Sequence, residues 1–184
     1  MRTRGRGAGL SLAMLTGVFM GPLPATTAAT HERVHTSEQF VFSVDARADD
    51  VFPLFGANRE RAWAPDWDPR FQWPPTATDR EGMVFQVAQG QGTATWVNTA
   101  FDPQGGRVQY VYVLPGVVAT LITLNVRPRG AVTEVTVRYD RTALSQESDS
   151  LVAKMAAQDR RAGPDWAGQI TAHLLRPIKS TAPP

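Results

Sequence analysis

The chain has 184 residues, of which 42% are apolar and 20% charged, a composition typical of a globular protein large enough to bury a core. It contains no cysteine, so disulfide frameworks and cysteine-based metal sites are excluded. The formal net charge of +2 is small, and a nucleic-acid function would require the basic residues to lie in the folded part of the chain.

Residues 1–29 have the layout of a secretory signal peptide. Arg2, Arg4 and Arg6 precede an apolar run over residues 8–21, and small residues follow up to Ala29. The run is shorter than the roughly 20 residues of a membrane-spanning helix, so we predict cleavage near Ala29, with an uncleaved anchor as the alternative. The remaining chain has 16 basic and 17 acidic residues, and no nucleic-acid partner is expected. We therefore predict a periplasmic or secreted protein without a membrane span once the signal is removed.

Residues 30–37 are polar and are expected to form a lead-in segment. The sequence EQFVFSVDA, from Glu38, alternates apolar and polar residues and predicts a first strand. One or two short helices should follow in ADDVFPLFGANRERAW, capped by Asp49 or Asp50, with Pro53 in a first turn.

The segment RAWAPDWDP, residues 61–69, combines two tryptophans with two prolines. Pro65 and Pro69 each remove a backbone donor and disfavour helix in the preceding residue, so an irregular loop is expected. Trp63 and Trp67 nevertheless need apolar surroundings. We predict that at least one of them packs over the mouth of a ligand cavity, the alternative being that both plug the end of the core.

Five strand-like runs follow, and each turn between them contains glycine, which predicts an antiparallel meander. The runs are MVFQVAQ, GTATWVNTAFD, RVQYVYVLP, VVATLITLNVRP and AVTEVTVRYDRTAL. Alternation along them predicts one core-facing side. Its residues are expected to be Val97, Thr99, Phe101, Ile122, Leu124, Val126, Val135, Val137 and Tyr139.

The chain is expected to end in helix from about Ser148, followed by a flexible tail over residues 177–184. Gly163-Pro164 interrupts the helical pattern, either kinking one helix or starting another. Beyond it, Trp166, Ile170 and Leu174 recur every four residues and predict a stripe that faces the sheet.

The motifs VFPLF, RERAWAPDWDPRF and YDRTALS, with the W…I…HL stripe of the last helix, resemble the SRPBCC superfamily. That superfamily includes START domains, birch-pollen-allergen proteins and bacterial polyketide cyclase/dehydrase-like proteins. The resemblance covers residues 38–176. It implies an α+β helix-grip fold, in which a curved antiparallel sheet of six to seven strands wraps around a long C-terminal helix, with two short helices after the first strand.

The resemblance also implies a cavity between sheet and helix. We therefore expect a binding protein for a small hydrophobic or amphipathic ligand such as a lipid, polyketide or aromatic metabolite. The alternatives are a polyketide cyclase/dehydratase-like enzyme that uses the same cavity and a protein-interaction module whose cavity is filled. The aromatic residues expected to contact a ligand are Trp63, Trp67, Trp73, Trp96, Tyr110, Tyr112 and Tyr139.

Three carboxylates, Glu60, Asp66 and Asp68, lie near the tryptophan loop. A carboxyl in apolar surroundings could perform acid–base chemistry, although helix capping or pairing with neighbouring arginines explains the same residues. No nucleophile motif is present, so no catalytic residue is assigned.

The three histidines do not predict a metal site. His31 and His35 have the spacing of ligands on a helix but no third ligand nearby. His173 is expected on a helix surface, the alternative being a proton donor in the pocket. We therefore expect no metal and no other cofactor, and the sequence does not determine the oligomeric state.

Overall fold

The structure is a computed structural model that describes residues 32–90 and 92–176. The predicted signal peptide and C-terminal tail lie outside these residues. The strands are β1 His35–Val44, β2 Arg70–Trp73, β3 Val84–Gln89, β4 Gly92–Asp102, β5 Arg107–Leu114, β6 Val118–Arg129 and β7 Val132–Ala143. The helices are α1 Ala48–Val51, α2 Asp149–Asp159 and α3 Gly163–Leu174, with short 3₁₀ turns at Phe52–Phe55, Arg59–Ala62 and Gln146–Ser148.

The seven strands form one antiparallel sheet in the order β1-β7-β6-β5-β4-β3-β2. Strands β2 to β7 are a meander, as the glycine-containing turns predict, and β1 pairs along β7 from His35 opposite Thr142 to Val44 opposite Thr133. Gly106 shows why glycine is required in one turn, because its φ is 60° and a Cβ atom would lie 2.2 Å from the Val126 carbonyl oxygen. The α+β helix-grip architecture predicted from the sequence is confirmed.

Two parts of the sheet differ from the sequence prediction by more than one residue. Strand β1 begins at His35 and therefore includes three residues that were expected in the lead-in. Strand β2 was not predicted, because its four residues lie between prolines and have only one partly buried side chain, Phe71. It is a short edge strand that pairs with β3, Phe71 lying opposite Phe85.

The predicted inner face of β4 was wrong for its first half. Trp96 and Asn98 are buried, whereas Thr99 is exposed. The register of β4 against β5 shifts between Asn98 and Ala100, and this bulge returns Phe101 to the side of the core. A strand with a bulge cannot keep one alternation along its whole length, so the single face predicted from Val97 to Phe101 could not hold.

The C-terminal part consists of two helices, because Gly163-Pro164 starts α3 instead of kinking α2. The predicted stripe faces the core: Ile170 is fully buried, and the ring of Trp166 meets that of Phe40 edge-on at 5.5 Å. A Cβ atom on Gly163 would lie 3.3 Å from a backbone oxygen of β1, so this glycine allows the start of α3 to approach the strand closely.

Candidate ligand-binding cavity

A cavity of about 480 Å³ lies between the inner face of the sheet, α2, α3 and the segment that follows α1. Its wall is mostly aromatic and aliphatic. The sheet contributes Gln89, Trp96, Tyr110, Tyr112, Leu114, Val118, Ile122, Leu124, Tyr139 and Arg141, and the remaining lining residues are Phe55, Glu60, Trp67, Gly90, Val117, Leu151, Met155 and Trp166. Two lining residues are exposed: Gly90 in the β3–β4 turn, and Leu151 on α2 with 43% of its surface accessible. The open side of the cavity is therefore next to these two residues.

The two tryptophans of the loop have different surroundings. Trp67 is partly buried and lines the cavity, its ring 5.2 Å from that of Trp96 and its Nε1 donating to the Ala57 carbonyl oxygen at 2.8 Å. Trp63 does not line this cavity. It is buried in the core, where its Nε1 donates to the Leu54 carbonyl oxygen at 2.7 Å and its ring lies 5.3 Å from that of Trp166. One tryptophan thus forms cavity wall and the other fills the core.

Trp73 also lies away from the cavity, contrary to its expected place in the wall. It ends the edge strand β2 with 48% of its surface exposed, and the Arg80 guanidinium stacks 5.0 Å from its ring. The pairing of β2 with β3 shifts register between Phe71 and Trp73, so Phe71 packs against the buried ring of Phe85 whereas Trp73 does not face the interior.

The other four predicted aromatic residues, Trp96, Tyr110, Tyr112 and Tyr139, all line the cavity. The rings of Trp96 and Tyr112 stack at 4.3 Å. The Tyr110 hydroxyl donates to the Phe55 carbonyl oxygen at 2.9 Å, which ties the sheet to the segment after α1. Burial raises the pKa of the Tyr110 and Tyr139 hydroxyls above the usual range, so both remain protonated at neutral pH.

Glu60 is the carboxyl group of the tryptophan-rich segment that lies in the cavity wall. Desolvation among the surrounding rings, with a smaller contribution from the negative charge of Asp79, raises its pKa to about 8. Asp79 is close because its carboxylate accepts the Asn58 amide hydrogen at 2.9 Å and packs against Gly56, where a Cβ atom would lie 2.3 Å away. Glu60 is consequently a mostly neutral acid at pH 7.

Glu60 also borders a shallow surface groove on the other side of the wall. This groove runs between the tryptophan loop and the start of α3, and both Glu60 and Trp166 line it as well as the cavity. A carboxyl in this position can contact a ligand inside and exchange its proton with solvent outside. Asp66 and Asp68, in contrast, are exposed, and Asp68 pairs with Arg61 at 3.0 Å.

A buried ion pair at the cavity was not predicted from the sequence. Arg141 in β7 lines the cavity and makes two hydrogen bonds to Asp159 at the end of α2, at 2.8 and 2.9 Å. Burial is the largest single influence and opposes the charge of Arg141, but the hydrogen bonds and charge of Asp159, together with Tyr112 and Tyr139, outweigh it and raise the pKa of Arg141. The alternation of Val137, Tyr139 and Arg141 along β7 already places this arginine on the core face, and extending the predicted stripe by one step would have found it.

The histidines take no part in the cavity. His31 lies outside the described residues, His35 is exposed on β1 with its Nδ1 2.9 Å from the Thr142 hydroxyl, and His173 on α3 does not line the cavity. Within residues 32–90 and 92–176 no group of three His, Asp or Glu side chains could hold a metal ion. The helices of the described part of the chain are too short or too polar to cross a membrane.

Solved structures with a similar fold share little sequence with this chain. A truncated norcoclaurine synthase from Thalictrum flavum is 14% identical with a TM-score of 0.61, and the match covers 80% of this chain and 98% of that one. Mll3558 from Rhizobium loti is 19% identical with a TM-score of 0.56, covering 78% and 99% of the two chains. The chain has a helix-grip fold.

A third helix-grip structure, DynU16 of the dynemicin biosynthetic locus, is 20% identical with a TM-score of 0.51, and the match covers 75% of this chain and 46% of DynU16. Another structure of the Thalictrum flavum synthase holds dopamine and hydroxybenzaldehyde. Neither a protein-family model nor a curated protein sequence matches the chain. At these identities the likeness establishes the fold, and activity must be argued from the site.

Proposed function

We propose that this helix-grip protein binds a small hydrophobic or amphipathic molecule in the cavity between sheet and helices. The observation that supports this is a space of about 480 Å³ whose wall is mostly aromatic and aliphatic, with a few polar groups at defined positions. This volume and wall are typical of small-molecule sites. The aromatic wall favours a ligand with a ring system, such as a polyketide or another aromatic metabolite, over an open alkyl chain. A protein-interaction module with a filled cavity is not supported.

The affinity of such a ligand can be bounded. Burial of about 400 Å² of apolar ligand surface contributes roughly 10 kcal/mol at ~25 cal/mol per Å². Association costs at least about 4 kcal/mol in lost freedom of motion. The remaining ~6 kcal/mol corresponds to a dissociation constant of tens of micromolar, so tighter binding requires hydrogen bonds from the polar groups of the wall.

Export is part of the proposal and is supported by the sequence of residues 1–29. A carrier outside the cytoplasm would take up a poorly soluble molecule in the periplasm or in the medium. We infer that the cavity protects such a molecule from water between the point where it is made or enters and the point where it is used.

The binding proposal is tested with 2-ethylnaphthalene as an apolar aromatic probe. Trp67→Ala removes part of the cavity wall, so we expect the dissociation constant of the probe to rise about tenfold or more. Trp73→Ala, on the exposed edge strand, should leave this dissociation constant unchanged. Equilibrium dialysis measures both, and mass spectrometry of material extracted from protein purified from its native host identifies the natural ligand. Absence of probe binding by the wild type would overturn the proposal.

A second candidate function is a cyclase- or dehydratase-like enzyme acting on the same kind of molecule, and Glu60 is the observation that favours it. A carboxyl with a pKa near 8 in an apolar cavity is a stronger base when ionised than an ordinary glutamate and can also donate a proton at neutral pH. Its contact with the outer groove allows the proton to be exchanged with water.

Proton transfer to carbon is tested directly with 2-acetylnaphthalene in deuterated water. If Glu60 acts as a base, the wild type should accelerate exchange of the methyl protons for deuterium at neutral to mildly basic pH, as measured by NMR. Glu60→Gln keeps the shape of the side chain and should abolish the acceleration, whereas Asp68→Asn should not. Equal exchange in the wild type and Glu60→Gln would leave binding as the function of the cavity.

A further inference from the structure

We propose that Tyr112, held in position by Arg141, is the hydrogen-bond donor that recognises a carbonyl oxygen of the ligand. The cavity would then select neutral aromatic ketones over hydrocarbons and carboxylates of the same size. This inference rests on the proposed binding function and specifies its ligand class.

The position of Arg141 is fixed by three partners. Two of its nitrogens bind the Asp159 carboxylate in a bidentate arrangement at 2.8 and 2.9 Å, and its Nη1 donates to the Tyr112 hydroxyl at 2.5 Å and to the Thr120 hydroxyl at 3.2 Å. Its guanidinium also lies 4.3 Å from the centre of the Tyr139 ring. Arg141 is 5% exposed and Asp159 8% exposed. An ion pair buried to this extent does little for stability compared with apolar side chains, so a role in orienting its neighbours is a better explanation.

The contact with Arg141 determines which way the Tyr112 hydroxyl can donate. A guanidinium has hydrogens to donate and no lone pair to accept, so the Tyr112 oxygen must be the acceptor of this bond. The phenolic hydrogen therefore points away from Arg141, and within residues 32–90 and 92–176 the structure shows no acceptor for it. Tyr112 lines the cavity, and its ring is fixed by stacking on Trp96 at 4.3 Å. The result is an oriented, polarised O–H group available to a ligand.

Tyr110 provides the contrast. Its ring also lines the cavity, but its hydroxyl already donates to the Phe55 carbonyl oxygen at 2.9 Å. Removing that hydroxyl would cost the protein a buried hydrogen bond without removing a donor from the cavity. Tyr110 and Tyr112 lie two residues apart on the same strand and face, so they form a matched pair for testing.

The charges around the cavity favour a neutral acceptor. The positive charge of Arg141 is already matched by Asp159, so it is not available to balance a ligand anion. Glu60, which also lines the cavity, is mostly protonated at pH 7, and any ionised fraction repels an anion. A ketone oxygen needs only a donor, and Tyr112 supplies one while the rings of Trp67, Trp96 and Trp166 surround the aromatic part of the molecule.

The test compares 2-acetylnaphthalene with 2-ethylnaphthalene, which differ in the carbonyl oxygen, and uses 2-naphthoate as the anionic probe. The measured quantity is the ratio of the two neutral probes' dissociation constants, because comparing this ratio between variants cancels their different solubilities in water. Tyr112→Phe should shift the ratio against the ketone by about three- to tenfold, the effect of one neutral hydrogen bond. Tyr110→Phe should leave the ratio unchanged even if it lowers stability.

The infrared carbonyl stretch of bound 2-acetylnaphthalene supplies a readout that a purely structural role of Tyr112 would not move. The band should lie at lower wavenumber in the wild type and Tyr110→Phe than in Tyr112→Phe, because only the last lacks the donor. If 2-ethylnaphthalene binds but Tyr112→Phe changes neither the ratio nor the band, the inference is overturned while the binding function stands. Binding of 2-naphthoate more tightly than the ketone would also overturn it. If none of the probes binds, the proposed function itself fails.

Discussion

At the scale of single residues, the unusual feature of the cavity is a carboxyl group held in apolar surroundings. Glu60 lies between aromatic side chains, and Asp79 adds a second negative charge nearby, so its pKa is raised to about 8. Gly56 lets Asp79 come this close, since any larger side chain at that position would collide with the carboxylate. A stabilising design would place glutamine or an apolar residue at position 60, which is consistent with a functional role for the acid.

The raised pKa predicts how stability depends on pH. Between the ordinary glutamate pKa near 4.5 and about 8, the unfolded chain releases the Glu60 proton while the folded protein retains it, so the stability of the wild type falls as pH rises. The limiting slope for one group is about 1.4 kcal/mol per pH unit, and because the side chain keeps some solvent contact we expect a total loss of about 2–4 kcal/mol. Below pH 4.5 the contribution of Glu60 to the free energy of unfolding is fully retained.

Glu60→Gln should remove most of this pH dependence. The free energy of unfolding of the variant should match that of the wild type near pH 4 and exceed it near pH 8.5. Denaturant unfolding at several pH values measures the difference. Because the pKa of Asp79 is also raised by burial, the stability of the variant should still fall with pH, but less steeply than that of the wild type. The control is Asp68→Asn, because this carboxylate is exposed and should not alter the profile. Parallel profiles for the wild type and Glu60→Gln would show that Glu60 is ionised in the folded protein.

At the scale of the elements, α3 attaches to the sheet through a few side chains. Ile170 is fully buried, and Trp166 contacts both Phe40 and Phe42 of β1. The close approach at Gly163 brings the first turn of the helix against the same strand. Since Trp166 also lines the cavity, the packing of α3 sets the position of one cavity wall.

Ile170→Ala should therefore destabilise the protein by about 2–5 kcal/mol, the usual range for truncating a buried aliphatic side chain. Leu175→Ala is the matched control at the end of the same helix, because Leu175 is 77% exposed and its truncation should change stability by less than about 0.5 kcal/mol. Denaturant melts give both values. Equal, small losses in the two variants would mean that α3 does not use this face for packing.

How much of the structure is predictable from sequence differs between elements. The meander from β3 to β7 is predictable because glycine-containing turns separate runs of alternating residues. The face of β4 was not, since alternation carries no information about where a bulge will reverse it, and the pairing with β5 determines that position. Strand β2 is too short for a pattern and exists because β3 offers it an edge.

The residues of the candidate site were likewise predictable where they lie on regular strands and not where they lie elsewhere. Tyr139 was found because the alternation along β7 assigns it to the core-facing side. Trp63 and Trp73 were misplaced because a loop and an edge strand have no periodicity to assign a direction. The pairing of Arg141 with Asp159 joins residues from β7 and α2, and only the packing of a helix on the sheet brings them together.

At the scale of the whole molecule, the helix-grip domain must remain stable while enclosing a space that is not filled by side chains. A cavity of about 480 Å³ forfeits packing contacts that a solid core would have. The protein has no disulfide to compensate, because it has no cysteine. Stability therefore depends on the sheet and the helices packed against it, and a bound ligand would restore part of the missing contacts, adding stability that grows with the logarithm of the ligand concentration above its dissociation constant.

The export prediction concerns the whole molecule as it exists in the cell. Three arginines, a short apolar run and small residues precede position 30, so we expect a signal peptidase to release a chain that begins near Thr30. Fractionation of the native host followed by N-terminal sequencing tests this, and the mature protein should be found in the periplasmic or extracellular fraction.

Replacing Leu10, Leu12 and Leu15 with glutamate would interrupt the apolar run and should retain the full-length chain in the cytoplasm. Arginine-to-lysine changes at positions 2, 4 and 6 preserve the charge and should not block export. A chain that begins at Met1 in the cytoplasmic fraction of the unaltered host would contradict the prediction, and a full-length chain in the membrane fraction would instead support the uncleaved anchor.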